Sequence, residues 1–191
     1  MILYSIQPLS IWVDIKTHGR FCADLDRSTL LHNRNGKLDF EQGLYAYKWM
    51  IKQYKKRTGH NIKTAIWCWK KYNGKADLFN IGMHKYSDNQ AMIKMDVPDD
   101  LVLLSNFEDW NSCLNYDYIG ETEEDTEGFY GWCDMLKGDD HNQMVTDSWK
   151  CIFQVDHAKY IQAIIPYIDK KWIKEAQIRR TNHQTKTLKI S

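Results

Sequence analysis

The stretch Ala65-Ile66-Trp67-Cys68-Trp69-Lys70-Lys71-Tyr72, AIWCWKKY, sets two tryptophans two positions apart. Side chains alternate across a strand with period two, so Trp67 and Trp69 share one face while Ile66 and Cys68 share the other. A segment apolar on both faces needs cover on both sides. That makes it a central strand, with Lys70 and Lys71 leading out to a turn at Asn73-Gly74. The expected architecture is a single α+β domain, residues 1–191, with a mixed, aromatic-lined central sheet flanked by helices.

The flanking pattern supplies the other elements. Ile2 to Gln7 is short, apolar and β-prone and stops at Pro8, which cannot continue a central strand. From Ser10, read as a helix N-cap, Ile11, Trp12 and Ile15 recur at helical spacing, and His18-Gly19 ends the run. A longer helix spans 40–57, with Leu44, Tyr47, Ile51 and Tyr54 as its apolar stripe and Lys48, Lys52, Lys55 and Lys56 turned away. The runs 91–97 and 101–104 read as two strands joined by a tight turn at Pro98-Asp99-Asp100. A helix capped by Ser105 or Asn106 and carrying Phe107, Trp110, Cys113 and Leu114 follows. Gly120 to Gly128, rich in Glu and Asp, reads as a mobile acidic loop, and Trp149, Ile152 and Phe153 as a short helix. Tyr160 to Ile165 is a late strand stopped by Pro166, and the basic end, 181–191, is expected to fray.

At 191 residues the chain is long enough to bury a sizeable core. Its formal net charge of +1 gives no global field for nucleic acid or an anionic membrane, so any such binding must be local. No apolar run approaches the roughly 18 residues of a membrane span, and no cleavable leader pattern follows Met1, so a cytoplasmic protein without membrane attachment is expected. Cys22, Cys68, Cys113, Cys133 and Cys151 include no C-x-x-C pair and read as reduced core thiols. The seven histidines show no H-E-x-x-H or paired metal spacing, and Asp139-Asp140-His141 alone is a weak metal signal. G-x-S-x-G and a glycine-rich phosphate loop are both absent, which sets aside those hydrolase and phosphate-loop classes.

Several segments, in order, resemble the bacterial family called domain of unknown function 3841. They are Leu3-Tyr4-Ser5-Ile6-Gln7, Leu44 to Met50, AIWCWKKY, Val97-Pro98-Asp99-Asp100, Val102 to Trp110, Ser148 to Phe153 and Ile161-Gln162-Ala163. That resemblance implies no activity. The strand, helix and glycine from Leu3 to Gly19, with the late strand before Pro166, are also similar at fold level to ADP-ribosyltransferase-like proteins. In that group the first strand offers a His or Arg to NAD and several members place a Glu on the late strand. Here Ser5 and Gln162 stand nearest those positions, and a glutamine cannot accept a proton or stabilise positive charge as a carboxylate does.

The candidate ligand-binding residues are Tyr4, Gln7, Trp67, Trp69, Asp109 and Gln162. An indole stacks a planar base, and glutamines read its edges through paired donors and acceptors. If the first and late strands pair, Tyr4, Gln7 and Gln162 become neighbours. The expected function is binding of a nucleotide or nucleic-acid base in an aromatic cleft; the transferase resemblance implies a relation to NAD-dependent ADP-ribosyl transfer, with NAD as the cofactor. The catalytic residues stay unassigned. The alternative is a non-enzymatic module of bacterial or phage conflict systems that contacts a protein partner.

Overall fold

The computed structural model describes residues 1–24, 41–79, 89–132, 139–179 and 185–189. Its centre is a seven-stranded sheet in the order β5-β6-β3-β1-β4-β8-β9. The strands are β1 (Ile2–Pro8), β3 (Ile66–Lys71), β4 (Gln90–Asp96), β5 (Leu103–Asn106), β6 (Ile161–Ile165), β8 (Ile173–Arg179) and β9 (Thr185–Lys189). Arg20–Phe21 and Ile168–Asp169 form a small second sheet as β2 and β7. Among the described residues five helices accompany them: α1 (Leu9–His18), α2 (Glu41–Thr58), α3 (Phe107–Leu114), α4 (Glu123–Trp132) and α5 (Asp139–Ser148).

The α+β domain expected from the sequence is present, but its sheet is antiparallel at every pairing rather than mixed. AIWCWKKY is central, as its two apolar faces require. Ile66 and Cys68 join Leu3, Ile93, Met95, Ala163 and Ile165 in a core covered by Trp12 and Ile15 of α1 and by Trp172. On the opposite face Trp67 and Ile164 pack with Tyr47, Met50 and Tyr54 of α2 and Trp110 and Cys113 of α3. Tyr4, Met92 and Leu78 form a third cluster beside Trp69.

Local signals explain most boundaries. α1 ends at Gly19, whose φ of +79° is left-handed and whose N–H donates to the Ile15 carbonyl at 2.9 Å. Asn73 and Gly74, at φ of +47° and +75°, close a tight turn in which Tyr72 and Lys75 exchange backbone hydrogen bonds. The Asn106 side chain caps α3 by accepting from Glu108 N at 3.0 Å.

Four further expectations, about caps and single elements, change. Ser10 is not a cap: α1 begins at Leu9 behind Pro8 and has no side-chain cap. The strands around Pro98 do not pair with each other, because β4 lies between β1 and β8 while β5 joins β6 at the far edge. The segment read as an acidic loop turns helical at Glu123, where Thr122 Oγ1 accepts from Asp125 N and three acidic residues occupy the first turn, favoured by the helix dipole. Of the end expected to fray, 185–189 form β9 against β8; 180–184 and 190–191 lie outside the described residues.

Candidate functional site

The end of β1 and the start of β3 open onto a cleft of about 590 Å3 between α1 and α2. β1 delivers Gln7 to it and β3 delivers Trp67. Ser10 and Ile11 come from the first turn of α1, Thr64 from the approach to β3, and Tyr47 from the inner side of α2. The chain reversal at Gly19 makes the outer wall, lined by Phe21 of β2 and by Cys22 just after it, with β2 pinned to β7 by the Arg20–Asp169 ion pair at 2.9 Å.

Several polar groups around the cleft are already oriented. Gln7 Nε2 donates to Ser5 Oγ at 2.7 Å, and Ser5 Oγ donates to the Trp67 carbonyl at 3.2 Å, leaving the Gln7 amide oxygen for other partners. Trp67 Nε1 donates to the Tyr47 hydroxyl. Burial pushes that hydroxyl up to about 12, partly offset by the Trp67 bond, so it is neutral at physiological pH. Trp110 stacks against Trp67 at 5.0 Å between ring centroids, which occupies one side of the indole. No Lys or Arg is among the described residues lining the cleft, and Asp14 and Asp24 stand at its rim.

The other candidates lie elsewhere. The register Tyr4↔Trp69↔Gln162 sets these three side chains in one row across the sheet, with β3 between β1 and β6, so the first and late strands do not pair. Tyr4 donates to Asp77 at 3.3 Å and meets Phe79 edge-on; its hydroxyl is pushed up to about 12, by burial first and then by Asp77. Trp69 meets Tyr72 and Phe107 edge-on. Gln162 is buried beside Ser105, and neither Gln162 Oε1 nor Ser105 Oγ has a hydrogen-bond partner among the described residues. Asp109 borders a second, acidic hollow of about 460 Å3 with Glu121, Glu123 and Glu127. Desolvation raises its carboxyl, while Asn106 Nδ2, donating at 2.7 Å, opposes the rise.

This placement bears on the transferase resemblance. Strand alternation puts Ser5 with Leu3 on the α1 side of the sheet, whereas Gln162 follows Trp69 onto the α2 side. The two residues nearest the expected NAD-contacting positions point away from each other.

A family model described as Domain of unknown function (DUF3841) matches residues 2–174. The chain belongs to this family. No curated protein and no solved structure matches it. The DUF3841 match takes in both strands that carry the cleft, as well as α1 and α2, and stops at the beginning of β8.

Among the described residues no three His, Cys, Asp or Glu side chains group to hold a metal ion, and no helix is long and apolar enough to cross a membrane. His141 packs its ring on Phe129. Cys68 and Cys113 are buried free thiols as the sequence suggests, but Cys22 is exposed at the cleft wall; Cys133 lies outside the described residues. Sequence reasoning missed Ser10, Thr64 and Tyr47 as cleft residues. Tyr47 had a visible signal, since it sits on the inner stripe of α2, but that stripe reads as core until the neighbouring strand ends are known.

Proposed function

We propose that this DUF3841 protein binds the planar base of a nucleotide or nucleic acid in the cleft between α1 and α2. The observation that carries the reading is the convergence of Trp67 with Gln7, Ser10 and Thr64 around one space of about 590 Å3, a volume suited to a small ligand. The apolar lining from Ile11, Phe21 and Ile66 covers a ring, and the polar side chains supply donors and acceptors for its edge. Acidic side chains at the rim, with no Lys or Arg among the described lining residues, favour the base or nucleoside end inside the cleft and any phosphates outside. The proposal is binding rather than group transfer.

The test is the melting temperature with millimolar adenosine, NAD and ADP-ribose, run beside Ser10→Trp, an exposed position where the larger ring fills the cleft without touching the core. A ligand at about 100 times its Kd adds about 2.7 kcal/mol, roughly 5 to 10 °C for a chain of this size. A shift in the parent that disappears in Ser10→Trp supports the site. No shift with any of the three compounds, or an equal shift in the variant, overturns it.

A further inference from the structure

The outer face of α2 has a chemistry the cleft does not use. Between Gly43 and Ala76 the sequence holds nine Lys or Arg and no Asp or Glu, although the whole chain carries only +1. α2 concentrates this excess. At 3.6 residues per turn, Tyr45, Lys48, Trp49, Lys52, Lys55 and Lys56 fall within an arc of about 120°, opposite the buried Ala46, Met50 and Tyr54. Tyr45 and the four lysines are exposed and Trp49 is half-buried. None of these lysines makes an ion pair among the described residues.

A solvated helix usually intersperses both signs, so that each lysine meets a carboxylate three or four residues away. Here the lysines repel one another, and only Lys55 and Lys56 lie in the last turn, where the helix dipole compensates them. The aromatic side chains on the same face are held by neighbours. Trp49 stacks on Phe153 at 5.8 Å and 16°, Arg57 lies over that Phe153 ring at 3.9 Å, and Tyr45 leans edge-on against Tyr116 and Trp149. We propose that this face of α2 binds single-stranded nucleic acid, with Lys48, Lys52, Lys55 and Lys56 tracking phosphates and Tyr45 offering a ring to an unpaired base. An anionic lipid surface fits less well, because an interfacial helix inserts its apolar side into the bilayer and α2 has already buried that side in the protein.

The test is fluorescence anisotropy of a labelled 20-nucleotide oligothymidylate, titrated with the full chain between 50 and 200 mM salt. Four phosphate contacts on a single strand give a slope of log K against log salt of about −2.8. Lys48→Glu with Lys52→Glu is expected to weaken binding more than tenfold and flatten that slope, while Tyr45→Ala weakens it severalfold and leaves the slope unchanged. Lys48→Gln with Lys52→Gln repeats the test should the reversal alter the melting temperature. No anisotropy change at 50 mM salt, equal binding by the double variants, or binding to phosphatidylserine vesicles without binding to the oligonucleotide would each overturn the proposal.

Discussion

Tyr47 holds the Trp67 indole from the α2 side, giving one side chain two duties: it fills the core between helix and sheet, and it fixes the ring that borders the cleft. Tyr47→Phe keeps the volume and removes the acceptor, so Trp67 Nε1 loses its partner at a half-buried site. The expected loss is about 1 kcal/mol, measured by urea unfolding. Gln162 predicts the opposite sign. Its buried amide oxygen lacks a partner among the described residues, and Gln162→Met is expected to be neutral or mildly stabilising, whereas a ligand role would show as lost binding with unchanged stability. Alkaline pH tests the buried acids together. Burial pushes Tyr4, Tyr47 and Tyr54 up to about 12 from an ordinary 10.0, and Cys68 up to about 12 from 9.0. Each raised group favours the folded state fully below its ordinary pKa and loses that contribution as pH climbs through the folded one. Urea midpoints are therefore expected to stay level to about pH 9 and fall from there to pH 12, and Cys68→Ala is expected to make the fall between pH 9 and 10 shallower without moving its onset, because burial also raises the Cys113 thiol from the same ordinary value.

At the scale of elements, the chain announces its boundaries where chemistry is local. Gly19 and Gly59, each with positive φ, end the two helices that flank the cleft, and Asn73-Gly74 makes the turn after AIWCWKKY. These are conformational demands that a few adjacent residues impose, so they are legible without the rest of the molecule. Gly19→Ala isolates one of them. A Cβ at that position meets nothing within 4 Å, so its cost is the left-handed backbone alone, about 1 to 2 kcal/mol by thermal unfolding. Because the Gly19 carbonyl also accepts from Lys170 N at 2.8 Å, the same substitution is expected to loosen the β2–β7 wall and raise hydrogen exchange at Phe21. The partnership of strands is less legible. Val97-Pro98-Asp99-Asp100 looks like a hairpin turn, yet the 3-10 turn at Asp99–Leu101 and the extended Val102 carry the chain away from β4 to the opposite edge of the sheet. Nothing local distinguishes those outcomes, since both satisfy the same alternation.

For the whole molecule, strand order explains why the expected site was divided. Putting the first and late strands side by side would have gathered Tyr4, Gln7 and Gln162, but β3 stands between them. Of those three only Gln7 lines the cleft, and alternation brings it there from the α1 face of the sheet while Trp67 reaches it from the α2 face. The same order sets unequal consequences for losing each end of the described chain. β1 lies between β3 and β4 and buries Leu3, Tyr4 and Ser5, so a chain starting at Leu9 exposes two inner strand edges and opens two apolar clusters. Among the described residues β9 pairs only with β8, and it adds Leu188 as a partly buried neighbour of the core, while the buried Ala176 and Ile178 belong to β8. A chain ending at 184 should keep a cooperative thermal transition, lowered by several degrees, and should retain any adenosine response of the cleft. A chain starting at Leu9 should show no cooperative transition by calorimetry. If the chain without β1 melted cooperatively near the parent temperature, β1 would be a peripheral strand and the cleft at its end would have no rigid support.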